Sequence, residues 1–276
     1  MIIVKLMGGM GNQMFQYAFA RSLSLKYNIP FKIDLSFLKR RDLGDFTYRD
    51  YDLDLYNINV DFINDINNVE YLNEQDFNFS DSLVKHIINV DKNVLLDGYW
   101  QSYKYFLGCD KQIKNDFQFK ENIKTFKDER FINMINHIES SNSVLIHVRR
   151  TDYLNSNYHW IINMDYINKA VDVIKSKVDN PHFFIFSDDL KWCVDNIKLD
   201  NMTIVDEYFK GNRFSNYHQL MRMCKYFIIS NSTFSWWAAW LCEFENKIVI
   251  APEIWDSSMR NISDLIPDSW IRIYNK

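Results

Sequence analysis

The run VLIHVRRTDY, residues 144–153, carries a histidine inside an apolar stretch and two adjacent arginines directly after it. A guanidinium fork fits a phosphate or a carboxylate with two parallel hydrogen bonds, so Arg149 and Arg150 at a strand end point to an anionic ligand. The competing structural reading has one arginine bracing Asp152 while the other faces solvent. His147 is either a satisfied core residue or a ligand contact. Two more polar clusters end apolar runs in the same way: Asp188 and Asp189 after HFFIFS, and Asn231, Ser232 and Thr233 after YFIIS. The last cluster precedes FSWWAAWL and has the composition of a helix N-cap, whose free N–H groups and hydroxyls also suit a phosphate. The indoles of Trp236, Trp237 and Trp240 fall at helical spacing and read as core packing.

A second cluster is the turn GGMGNQ, Gly8 to Gln13. Gly9 and Gly11 match the first two glycines of a dinucleotide fingerprint, and Asp34 stands near the distance of a ribose-binding acid. Met14 occupies the third glycine position, where a bulky side chain opposes close helix–strand packing. In DYDLDLY, Asp50, Asp52 and Asp54 alternate like metal-binding carboxylates, but no apolar strand precedes them and a solvated face accounts for them more simply.

These clusters need elements to hold them. IIVKLM reads as a strand, NQMFQYAFARSLSLKYN as a helix stopped before Pro30, and FKIDLS as a second strand. The region from Phe37 to about Asn142 is Asn- and Asp-rich, and only NVLLDGYW stands out as a strand. After Ser143 five apolar runs, VLIHV, HFFIFS, MTIVD, YFIIS and KIVIAP, alternate with helix-length stretches, which indicates a parallel sheet covered on both faces. Two lobes are expected, 1–137 and 138–276. In open sheets of this class, ligands sit beyond the carboxyl ends of the strands.

Composition narrows the function. The 276 residues are 47% apolar with a formal net charge of −4 and no basic block, which argues against a nucleic-acid partner. Cys109, Cys193, Cys224 and Cys242 are widely spaced and indicate buried thiols rather than zinc ligands or a disulfide framework. The N-terminus offers neither a signal peptide nor a transmembrane segment, so a cytoplasmic protein is expected, free or peripheral at the inner membrane.

Together GGMGNQMFQYAFAR, LDGYWQSYKYF, HVRRTDY, FSDDLKWC and CKYFIISNSTFSWWAAWL, with VIAP after it, resemble the α-1,2-fucosyltransferases of glycosyltransferase family 11 in their soluble bacterial form. The blocks run in the family's order over nearly the whole chain. The resemblance implies a GT-B-like fold of two Rossmann-like lobes with the active site in the cleft between them. It further implies GDP-β-L-fucose as co-substrate, inversion at the anomeric carbon, transfer to the 2-hydroxyl of a galactose-terminated glycan, and no metal or other cofactor. By this resemblance Arg149 contacts the diphosphate and Arg150 and Asp152 support it, with Asp152 also the candidate base. His147 and Asp188 or Asp189 approach guanine, while Ser232, Thr233 and Phe234 close the diphosphate end. From the N-terminal lobe Gly9, Gly11, Asn12 and Gln13 face the donor, and Tyr99 and Trp100 stack on the acceptor sugar. Two departures stand out: Thr151 replaces the family's usual glycine, and NYHQLMRMC lacks an expected acid. An NAD(P)-dependent enzyme using the glycine turn and a non-catalytic carbohydrate-binding protein are the competing classes.

Overall fold

The apolar runs become two parallel sheets in the computed structural model, which describes residues 1–41, 48–63, 65–154, 160–256 and 263–275. By contacts the chain divides into two units, one made of the described residues of Met1–Lys120 and Asn261–Pro267, the other of those of Glu121–Arg260 and Asp268–Lys276. The division thus falls ahead of the helix that contains residues 137 and 138.

In the first unit, β1 (Ile2–Lys5), β2 (Phe31–Asp34), β3 (Phe62–Ile63), β4 (Val69–Asn73) and β5 (Asn93–Asp97) form a sheet of order β3-β2-β1-β5-β4. Every pairing in it is parallel. Helix α1 (Met10–Tyr27) links β1 to β2 and buries Phe15, Phe19 and Leu23. It ends at Asn28 in the left-handed conformation two residues before Pro30, a stop that the sequence announces. Helices α2 (Ser36–Lys39), α3 (Asp81–Asn89) and α4 (Asp110–Asp116) complete the unit.

The second unit opens with α5 (Glu129–Ser140), whose Phe131, Ile135 and Ile138 are buried, and continues into β6 (Asn142–Val148). Then follow α6 (Met164–Lys175), β7 (Pro181–Ser187), α7 (Leu190–Asn196), β8 (Met202–Ile204), α8 (Ser215–Met223), β9 (Tyr226–Ile228), α9 (Thr233–Leu241), β10 (Val249–Pro252) and β11 (Ile271–Ile273). The sheet order is β11-β10-β9-β6-β7-β8, again with parallel pairing throughout. Val144, Ile146, Phe183, Ile185, Ile228 and Ile250 from the central strands pack against Tyr166, Ile167 and Ile174 of α6. The expected α/β, GT-B-like class with two Rossmann-like units is therefore what the chain forms. The five apolar runs after Ser143 are β6 to β10, while β3, β4 and β11 are additional.

Each sheet reverses its winding at a defined place. From β6 the chain builds outward through β7 and β8, then returns to β9 on the other side of β6. From β1 it builds outward through β2 and β3, then crosses to β4 at the far edge and comes back to β5 on the other side of β1. The carboxyl ends of β6 and β9, and of β1 and β5, are therefore topological switch points, where open parallel sheets present their loops to ligands.

Candidate functional site

At the second unit's switch point the ends of β6, β7 and β9 stand side by side, with Val148 opposite Ser187 and Ile146 opposite Ile228. This register brings three polar clusters together that lie far apart in sequence. His147 is buried on β6 with Nδ1 2.8 Å from the Ser230 hydroxyl. Arg149 lies between two carboxylates, Nη2 donating to Asp152 at 2.6 Å and Nη1 3.2 Å from Asp188. These contacts leave most of its five donors uncommitted, and its side chain is 22% exposed, enough for a ligand to reach.

Asp188 organises the loop after β6. One carboxylate oxygen accepts the Arg150 N–H at 2.9 Å, and the other accepts the Thr151 N–H at 3.1 Å and its hydroxyl at 2.5 Å. Asp189 caps α7 through the Trp192 N–H at 3.0 Å and holds Arg150 Nε at 3.3 Å, while the Arg150 guanidinium lies 4.2 Å from the Trp192 ring. Both acids thus have oxygens bonded within the protein itself, which gives each a bracing part beside the guanine contact expected for one of them. Thr151, where the resemblance led to glycine, uses its hydroxyl to bind Asp188.

Charge follows from these contacts. Burial opposes the Arg149 charge, but the bond to Asp152 and the nearby Asp188 more than offset it and raise its pKa further. Burial pushes the His147 imidazole down to about 3, Asp188 opposing the fall and Arg149 assisting it. His218 is held well below its ordinary range, again by burial first and by the Arg222 charge second. The site therefore pairs a permanent cation with neutral imidazoles.

The polar turn before the indoles sits beside this cation. Ser232 occupies the N-cap position of α9, yet its side chain makes no capping bond; the Ser235 hydroxyl instead donates to the Ser232 carbonyl at 3.1 Å. The Phe234 ring lies 4.7 Å from the His218 ring and 6.2 Å from that of His147. Thr233 and Phe234 are half-buried, whereas Trp236 and Trp237 are fully buried core as expected, and Trp240 is half-buried.

At the first unit's switch point the glycine turn leads into α1. Gly8 has φ +76, and a Cβ there would come within 2.4 Å of Asn12 Nδ2. Gly9 is the N-cap of α1, and a Cβ on it would meet only Arg49 Nε at 3.9 Å, so its backbone stays open to approach. Gly11 is buried in the helix, and Asn12 accepts from Gln101 Nε2 at 3.0 Å. Gln13 does not face outward: fully buried, it donates to the carbonyls of Gly8 and Asp50 and accepts from Asp52 N–H. Asp52 is thereby part of the turn's support, and Asp50 pairs with Arg41 at 3.0 Å. Among the described residues no three His, Cys, Asp or Glu side chains gather as a metal set.

Tyr99 and Trp100 part company. Tyr99 is half-buried, but Trp100 is 1% exposed and packs on Phe19 with ring centroids 5.2 Å apart, so it has no free face for a sugar. Its φ of +56 reverses the chain, and Glu74 holds the reversal by accepting from Tyr99 N–H at 2.8 Å and Trp100 N–H at 2.9 Å. Glu74, Arg49 and Ser230 carry no sequence signal that sets them apart, since each acts through a neighbour brought close only by the fold. Tyr153 had one, as the last residue of the arginine block. All four cysteines are buried thiols, and no helix among the described residues is long and apolar enough to cross a membrane.

Comparison with known proteins adds a family, three relatives and one solved structure. A family model described as glycosyl transferase family 11 matches residues 1–274. An α-1,2-colitosyltransferase of Escherichia coli is 30% identical, covering 99% of this chain and 98% of the relative. The O-antigen biosynthesis glycosyltransferase WbnK of the same species is 33% identical, with 97% and 99% covered. The galactoside alpha-(1,2)-fucosyltransferase 2 of Rattus norvegicus is 26% identical over 54% of this chain and 44% of its own length. Among solved structures, a variant of Arabidopsis thaliana FUT1 in complex with GDP shares the fold at a TM-score of 0.50 and 12% identity, covering 90% of this chain and 69% of that one.

Proposed function

The chain belongs to glycosyltransferase family 11, and from that premise we propose that it moves L-fucose from GDP-β-L-fucose to the 2-hydroxyl of a terminal galactoside with inversion at the anomeric carbon. One observation carries the reading. A half-buried guanidinium with donors to spare stands where β6 ends, beside the N-terminus of a helix whose N-cap side chain makes no capping bond. In an in-line displacement the acceptor oxygen forms its bond to the sugar as the bond to GDP breaks, negative charge grows on the departing diphosphate, and the acceptor hydroxyl's proton passes to that diphosphate or to water. Arg149 and the first-turn N–H groups of α9 are the preorganised donors that meet this charge, and such donors act most strongly out of water. Asp152 is bonded to Arg149, so its part is to hold that guanidinium rather than to take the acceptor proton. Neutral His147 and Phe234 border the same place, and Tyr99 of the first unit stays the candidate contact for the acceptor sugar.

A second donor sugar comes from the Escherichia coli relative named for colitose. Colitose is fucose without its 3-hydroxyl. A pocket that hydrogen-bonds that hydroxyl rejects the deoxy sugar strongly, whereas one that leaves it in water accepts both. The experiment is thermal unfolding with GDP, UDP, CMP and NAD in the presence of EDTA, followed by turnover of GDP-fucose against GDP-colitose. GDP at about 100 times its Kd adds about 2.7 kcal/mol and raises the melting temperature by roughly 5–10 °C. A response to NAD or UDP but not to GDP would refute the proposal, and preference for GDP-colitose would replace its donor sugar.

A further inference from the structure

Resting on that reading of the donor site, we propose that Tyr153 is a positioning residue, whose hydroxyl ties the N-terminus of α9 to the Arg149 loop so that both meet one diphosphate. The turn from β9 into α9 is held at successive residues from outside. Tyr166 donates to the Ile229 carbonyl at 2.7 Å, and His147 holds the Ser230 hydroxyl. Asn231 gives its amide to the carbonyls of Trp160 and Trp255, each at 2.7 Å. The Asn231 carbonyl, the last before the N-cap residue, accepts from the Tyr153 hydroxyl at 3.0 Å. Of these partners Tyr153 and Trp160 come from the loop between β6 and α6 that carries Arg149, and Tyr153 is the one beside the cation, four residues along from it with the Arg149 guanidinium 5.9 Å from its ring.

The link matters because both anion-binding elements act over short range. The partial charge of a helix end fades within one turn, and a displacement of about 1 Å at a reacting centre costs on the order of 100-fold in rate. The Asn231 bond to Trp160 joins the same loop eleven residues from Arg149, so the joint that fixes the guanidinium itself against the helix end is the one at Tyr153. Tyr153 is 9% exposed, and burial keeps its phenol protonated, so it remains a donor across the working pH range. A phenylalanine would fill the same space without the joint.

The test compares GDP with GMP by calorimetric titration of the full chain, wild type and Tyr153→Phe. The substitution removes one oxygen and leaves the ring packing in place, so the variant folds, which circular dichroism checks. If Tyr153 positions the two elements, the Kd for GDP rises roughly tenfold while that for GMP rises far less, because only the second phosphate needs both. Tyr153→4-aminophenylalanine, which keeps a donor at the same reach, restores the GDP to GMP ratio. Equal weakening of both nucleotides would reduce Tyr153 to a structural role, and no weakening would remove it; either overturns the proposal. A wild-type protein that binds no GDP would instead overturn the donor reading beneath it.

Discussion

Asp188→Asn separates a carboxylate that braces a loop from one that reads a base. Its two oxygens receive four donors: Arg150 N–H on one, and Thr151 N–H, the Thr151 hydroxyl and Arg149 Nη1 on the other. Asparagine keeps one oxygen, which serves best on the side of three donors, and this leaves its amide group facing the Arg150 N–H. One hydrogen bond to a charged acceptor is lost, about 1.5–3 kcal/mol. Arg149 keeps its bond to Asp152, so the weaker hold from Asp188 adds less than the lost hydrogen bond. A net loss of about 2–3 kcal/mol lowers the melting temperature by roughly 5–10 °C. Fucosyl transfer falls at the same time, because the loop bearing Arg149 loses its anchor, but preference for GDP over ADP stays as in the wild type. Differential scanning fluorimetry and competition by the two nucleotides read both effects. Lost base selectivity at an unchanged melting temperature would show that Asp188 reads guanine and refute the reasoning.

Three other outcomes follow from the site. Arg149→Ala lowers fucosyl transfer at least roughly 100-fold with the fold retained, measured by GDP release, since it removes a preorganised donor to the leaving group. Stability falls with acidification between pH 6.5 and 5: His147 and His218 have folded pKa values depressed by burial, so the unfolded chain binds protons there that the folded one does not. His147 then removes about 1.5 kcal/mol over that interval and His218 acts in the same direction, read by urea unfolding at the two pH values, and His147→Asn lessens the drop. Glu74→Gln sets an amide against one of two N–H groups at the Trp100 reversal, which costs about 1–3 kcal/mol and raises KM for the galactoside without changing GDP affinity, measured by steady-state kinetics.

Legibility in the sequence followed signal strength. Long apolar runs such as HFFIFS and YFIIS gave their strands and the polar residues at their ends, because a strand buried on both faces must be apolar throughout. Val69–Asn73 and Ile271–Ile273 are half-exposed and short, and two-residue Phe62–Ile63 has no period at all, so none of the three stood out. At the candidate site the residue types were legible but not their directions. Nothing in GGMGNQ reveals that Gln13 turns inward to Asp50 and Asp52, and nothing in GYW reveals a tryptophan at positive φ, a conformation that favours glycine. Likewise Asp188 follows its strand as a ligand-binding acid would, and only the register of β6 with β7 shows its oxygens on Arg150 and Thr151. Ser232 has the composition of a capping residue, yet its hydroxyl does not cap.

The most direct measurement is the structure of the product. Purified protein is incubated with GDP-β-L-fucose, EDTA and, in parallel, lactose, N-acetyllactosamine and a galactosyl-N-acetylgalactosamine unit, and the products are analysed by two-dimensional NMR. An α-configured fucose whose anomeric proton correlates with C2 of galactose is the predicted result. A β-anomer, attachment at another carbon, or intact GDP-fucose with every acceptor and in the presence of added divalent metal would contradict it.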